Sequence, residues 1–164
     1  MLIDIISKNG NLLLSVPQRG DGTIDDKARK IVEEIGEWMA INSEGVYATR
    51  PWTIFGEGPV AETANPLQGQ GFNEGRNQPY TAKDIRFVAK GDILYAHVLA
   101  LPEDGKVVIR SLSEGNPLMP KDIDKVELVG TNAPIKFERT IEGLEIELPE
   151  GVMFNNISIL IKIL

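Results

Sequence analysis

The chain has 164 residues, of which 42% are hydrophobic and 25% charged, ordinary values for a globular protein and enough length to bury about 70% of the unfolded surface in one domain or a small pair. Twenty-four acids against 17 Lys and Arg leave a net charge of −7, and no basic stretch is present to neutralise phosphates, which excludes a nucleic-acid partner. There is no Cys, hence no disulfide or thiolate metal site; no apolar run approaches the roughly 20 residues that span a bilayer, and no cationic start followed by an apolar core marks a signal peptide.

In chain order, Leu2–Asn9 reads as the tail of a helix stopped by Asn9-Gly10. It runs directly into Asn11–Val16, where Leu12, Leu13 and Leu14 are apolar on both faces, the pattern of a parallel strand covered on both sides. Arg19-Gly20-Asp21-Gly22-Thr23 is turn chemistry. From Asp25 the residues Ala28, Ile31, Val32, Ile35, Trp38 and Met39 fall on one helical stripe, with Asp25 and Asp26 in the first turn, where the helix dipole favours anions. Asn42 to Gly45 ends that helix. A helix, a doubly buried strand and a second helix form the closing βα unit of a parallel sheet or barrel, and cannot make a sheet alone. The first fifty residues therefore read as the last piece of a larger α/β domain.

Residues 57–79 are rich in Gly, Pro, Asn and Gln and read as a long loop or a loose pair of edge strands. Beyond them, short strands are expected at Ile85–Ala89, Ile93–Leu101, Lys106–Leu112, Lys125–Val129, Ile135–Arg139, Leu144–Leu148 and Ile157–Leu164. Strands this short and this evenly spaced favour an antiparallel sandwich. Ile135, Phe137 and Arg139 alternate with Lys136 and Glu138, as a half-exposed strand requires. Ile93–Leu101 is apolar at nearly every position, so one face belongs in the sandwich core and the other against something else.

Several ordered blocks carry a family resemblance. Ser7-Lys8-Asn9-Gly10-Asn11-Leu12-Leu13-Leu14, Asp21-Gly22-Thr23-Ile24, Glu34-Ile35-Gly36-Glu37-Trp38 and Tyr47-Ala48-Thr49-Arg50-Pro51-Trp52 resemble the end of the catalytic barrel in α-L-fucosidases of glycoside hydrolase family 29. Phe72-Asn73-Glu74, Pro79–Phe87, Lys90–Ala96 and Leu101–Val107 resemble that family's C-terminal β-sandwich domain. The resemblance covers residues 3–112, and the remainder fits the sandwich by pattern. It implies a mainly β fold: an antiparallel β-sandwich (residues 51–164) preceded by the last helix–strand–helix piece of a (β/α)8 barrel (residues 1–50).

The implied activity is retaining, exo-acting hydrolysis of terminal α-L-fucose, which needs two carboxyls about 5–5.5 Å apart across the glycosidic bond. In the family these are an Asp nucleophile and a Glu acid/base on earlier barrel strands and their loops, so no residue of this chain inherits a catalytic role. The family usually has Asn, an aliphatic residue, Gly and Pro after the Leu run, where this chain has Ser15-Val16-Pro17-Gln18. Ser15, Gln18 and Arg19 are the candidate substrate contacts at that barrel rim. The resemblance implies no cofactor, and its members are often secreted, periplasmic or lysosomal. The implied partners are the remainder of the catalytic barrel and a fucosylated glycan. Self-association through residues 2–16 is a further expectation, because a strand with open edges is a template for pairing, unless this segment folds back onto the sandwich.

The residues offer little other chemistry. Glu57, Glu62 and Glu74 in the Gly-rich stretch read as solvated acids rather than a hydrolytic pair, and Glu33, Glu34 and Glu37 as the wet face of their helix. His97 is the only histidine, and with neither Cys nor a second His it reads as a packed, hydrogen-bonded strand residue rather than a zinc ligand or a base. Arg19-Gly20-Asp21 spells an adhesion tripeptide that turn propensity explains. Gly69 and Gly71 precede no helix pattern, so a phosphate cradle fails its context. Trp52, Phe55, Phe72 and Tyr80 are candidates for a sugar-stacking platform, which would make the sandwich a non-catalytic carbohydrate-binding module. The competing reading has Trp52 and Phe55 sealing the junction between barrel and sandwich. Trp38 belongs to the helix stripe.

Overall fold

Eight strands in the computed structural model, which describes residues 1–63, 79–152 and 157–164, pair into two antiparallel sheets. The first has five strands in the order β1 (Arg50–Glu57), β2 (Ile85–Lys90), β3 (Ile93–Val98), β8 (Ile159–Ile163), β5 (Val126–Leu128). The second has three, in the order β4 (Lys106–Ile109), β7 (Leu144–Glu147), β6 (Lys136–Arg139). Their inner faces make one aliphatic core, with Ile85, Phe87, Leu94, Ala96 and Ile161 from the larger sheet against Val107, Ile109, Leu144 and Ile146 from the smaller. The expected alternation holds on β6, where Phe137 and Arg139 are half-buried and Lys136 and Glu138 exposed.

The larger sheet is buried on its outer face as well. Val88, Tyr95 and Leu160 form a second apolar cluster there, joined by Ile6. Tyr95 and His97 alternate along β3 with Leu94, Ala96 and Val98, and all five are buried. The cover that this continuous apolar pattern called for is helix α1 (Leu2–Ser7) and the C-terminal end of helix α2 (Asp26–Asn42) with the 3₁₀ turn after it, Ser43–Gly45.

Helix α2 forms where the stripe predicts. The Asp25 carboxylate lies just before the first turn and accepts from the N–H groups of Lys27 and Ala28 at 2.9 Å, satisfying two donors that have no partner within the helix. Helix α1 ends at its expected stop: Asn9 adopts a left-handed φ of 62°, and Gly10 N–H donates back to the Ile5 carbonyl at 2.9 Å.

Two expectations are corrected. Asn11–Val16 is not a strand; it is irregular, with Leu13 96% exposed and Leu14 exposed. A parallel strand needs neighbours to receive its N–H and C=O groups, and among the described residues none lies beside this segment. Secondly, residues 50–57 form strand β1 at the edge of the larger sheet, where no strand was expected. Pro51, the Thr53 break in the apolar run and an irregular register between Pro51 and Gly56 disguise it in the sequence. The apolar stripe of α2 is buried only towards its end, with Trp38 buried and Ile31 and Val32 exposed.

Candidate functional site

Among the described residues, four sets of polar contacts hold the N-terminal segment to the outer face of the larger sheet. Arg86 on β2 is 1% exposed, and its Nε–H donates to Asp4 Oδ1 on α1 at 2.6 Å. Its Nη1 donates to the Ile85 carbonyl at 3.1 Å, and the guanidinium lies 5.4 Å from the Phe55 ring centre and 5.7 Å from that of Tyr80. Burial alone would push the Asp4 carboxyl up, but hydrogen bonds from Lys8 and Arg86 and their charges outweigh it and hold it below the usual carboxylate range.

The second contact is made by Glu44, whose Oε2 accepts from the Tyr95 hydroxyl and from Lys162 Nζ, both at 3.3 Å. Burial, with the Glu44 carboxylate next, pushes the Tyr95 phenol up to about 12, so it remains a neutral donor. The third is Trp38, whose Nε1–H donates to Ser158 Oγ at 3.1 Å.

The fourth is His97. The residue is wholly buried, its Nε2 lies 3.0 Å from the Gly45 carbonyl, and its ring centre is 6.1 Å from that of Trp38. A carbonyl only accepts, so Nε2 carries the proton and Nδ1 is a bare lone pair; Nδ1 has no partner among the described residues. Burial is the larger influence on the imidazole and the Gly45 bond opposes it, leaving the pKa at about 4. Gly45 must be small for this approach, since a Cβ there would stand 2.6 Å from Leu160 Cδ2 and 3.3 Å from His97 Cε1. Gly45→Ala should therefore cost about 2 kcal/mol, the usual penalty for overpacking, read as a lower midpoint in urea denaturation.

The sequence-derived candidates do not converge on one site. Ser15, Gln18 and Arg19 are exposed, Ser15 in the irregular segment, Gln18 in an isolated bridge to Ile24 and Arg19 in the turn beyond it. That turn presents Arg19-Gly20-Asp21 at an exposed tip, closed by Gly22 N–H donating to the Arg19 carbonyl at 2.9 Å. Asp21 Oδ1 accepts from Thr23 N–H and Thr23 Oγ1, and these bonds hold its carboxyl below the usual range.

Trp52 packs into the main core and meets Phe87 edge-on at 5.1 Å. Phe55 lies beneath Lys8 Nζ at 4.8 Å. Tyr80 is half-buried over Arg86, while Phe72, Glu74, Gly69 and Gly71 lie outside the described residues. Glu57 is not a solvated loop acid: it ends β1 and accepts from the N–H groups of Arg110 and Ser111, each at 2.8 Å, and from the Ser111 hydroxyl. Glu62 is exposed at the end of the short helix α3 (Pro59–Glu62).

A cleft of about 700 Å³ lies along β5 and the β5–β6 connection, with Glu44, Glu127 and Phe137 in its wall. Its carboxylates are already engaged, Glu44 with Tyr95 and Lys162, and Glu127 with Lys125 and Lys162. Among the described residues no group of three His, Cys, Asp or Glu is placed to hold a metal ion.

The family model for α-L-fucosidase matches residues 1–44, and that for the α-L-fucosidase C-terminal domain matches residues 77–161. The chain belongs to the α-L-fucosidase family. It is 29% identical over 150 residues to rat tissue α-L-fucosidase and 26% identical over 148 residues to a Dictyostelium discoideum α-L-fucosidase. These alignments cover 91% and 90% of this chain but only 26% and 27% of the relatives, so it spans about a quarter of their length. A crystal structure of Thermotoga maritima α-fucosidase in complex with a mechanism-based inhibitor superposes with a TM-score of 0.71 at 25% identity, over 98% of this chain and 32% of that one. The two α-L-fucosidase matches fall on either side of the contacts described above: the helices covering the outer face of the larger sheet lie in the first, and most of the sandwich lies in the second.

Proposed function

We propose that this chain is the C-terminal portion of a retaining glycoside hydrolase acting on terminal α-L-fucose, and that residues 1–164 by themselves brace a catalytic barrel without catalysing. The observation that carries this reading is the second buried face of the larger sheet. A free-standing sandwich has no need of one, and here it is filled by α1 and the end of α2, from the stretch that matches α-L-fucosidase at residues 1–44. We divide the chain at residue 50, into a barrel-end piece and a sandwich. Exposed Leu13, Leu14, Ile31 and Val32 are the surface that the rest of the barrel would cover. In that assembly Ser15, Gln18 and Arg19 would stand at the barrel rim, within reach of substrate.

Bracing is favoured over sugar binding because the aromatic candidates are committed elsewhere: Trp52 to the core and Phe87, Phe55 and Tyr80 to Arg86. The purified chain should hydrolyse an aryl α-L-fucoside no faster than buffer between pH 4 and pH 8, since covalent and general acid catalysis are both lacking. In calorimetry it should bind fucose no tighter than millimolar. Turnover that survives repurification would overturn the non-catalytic reading, and a micromolar constant would overturn the brace.

A further inference from the structure

We infer that the docking of residues 2–45 onto the sandwich is an acid-released latch, with His97 as the group whose protonation opens it while the sandwich stays folded. His97 sits in the middle of the docked face. On β2 its register partner is Arg86, and on β8 it is Leu160. Gly45 and Trp38 pack on it from the N-terminal segment. In the docked state one ring nitrogen donates to Gly45, and the other is buried without a partner among the described residues. A second proton would place an N–H where no acceptor lies and put a cation opposite the Arg86 guanidinium.

The charged and titratable groups around it offer no relief. On β2, Arg86 is paired with Asp4 of α1, which also holds Lys8. On β3 and β8, Tyr95 and Lys162 are bonded to Glu44 of the 3₁₀ turn. Trp38, Asn42 and Ser158 are neutral. Among the described residues no carboxylate is bonded to the imidazole, so a second proton is best accommodated when the N-terminal segment comes away and admits water. Between the two sheets the packed residues are aliphatic and aromatic, and the buried carboxylate of the sandwich, Asp84, already accepts from Val60 N–H, Thr81 N–H and Thr81 Oγ1 at the start of β2. This separation is what makes the response local.

Amide hydrogen exchange of the full 164-residue chain between pH 7 and pH 4, corrected for intrinsic rates, tests the latch. With the docked imidazole at about 4 and the free one at 6.5, the opening constant of residues 26–45 should rise roughly 100-fold from pH 6.5 to pH 4. Over the same range Ile93–Val98 and Ile159–Ile163 should keep their protection. In His97→Gln the side-chain amide can still donate to Gly45 but does not titrate, and the rise should vanish. An equal rise in that variant, or loss of strand protection together with the helix, would overturn the proposal. Should His97→Gln not fold, NMR titration of the single histidine of the wild-type chain decides: a midpoint well below 6 supports the latch, and one near 6.5 with the helices still protected refutes it.

Discussion

Asp4→Ala should lower the stability of the chain by about 3 kcal/mol, measured by urea denaturation at pH 7. The variant leaves the Arg86 guanidinium in a site where the side chain is 1% exposed, and stranding one member of a buried ion pair costs about 3–5 kcal/mol. The lower end applies because Asp4 keeps 22% of its side chain exposed and water can enter when it is truncated. Arg86→Met in the same background should recover much of the loss, since it removes the stranded charge, so the double variant should be more stable than additivity allows. The pH dependence has a defined sign. The folded carboxyl titrates below its ordinary 3.8, so its stabilisation is fully present above pH 3.8 and is lost as pH falls through the lower folded value. Asp4→Ala should lack that component of the acid loss.

Asp84→Ala should be comparably damaging, at about 3–4 kcal/mol. Asp84 is fully buried at the start of β2, where its two oxygens accept from Val60 N–H at 2.8 Å, Thr81 N–H at 2.8 Å and Thr81 Oγ1 at 2.9 Å. Bonds to a charged acceptor are worth more than neutral ones, and truncation leaves those donors unmet. This carboxylate also ties helix α3 to the turn before β2, so the expected signature includes faster proteolysis between residues 58 and 84 as well as a lower thermal midpoint. Asp84→Asn should cost less, because one amide oxygen can still accept from Val60 or Thr81.

The sandwich was legible in the sequence because its signals are local. Gly91, Gly105 and Gly130 take positive φ between strands, and the period-2 pattern of Lys136–Arg139 can be read without knowing the partner strand. Strand β1 escaped for the converse reason: pairing with β2 across an irregular register, rather than any alternation of its own, makes it a strand. Asn11–Val16 failed in the other direction. Three consecutive leucines specify a doubly covered strand only where neighbours are present to bond it, and residues without such neighbours here remain irregular. The resemblance gave the family and the β-sandwich fold class, but could not show which side chains join the N-terminal helices to the sheet.

By itself, the sequence determined helices α1 and α2, the positions of most strands along the chain and the need for cover on both faces of β3, each from periodicity, capping or turn chemistry within a few residues. The family came from the resemblance of ordered blocks spread along the chain. The tertiary structure alone decided what that cover is, that Glu57 is a bonded structural carboxylate rather than a solvated acid, and that Asp4 meets Arg86 and Gly45 meets His97 across separations of 82 and 52 residues. Burial and hydrogen bonding at such distances along the chain depend on how the elements pack, and a buried charge or a bare imidazole nitrogen has no local signature.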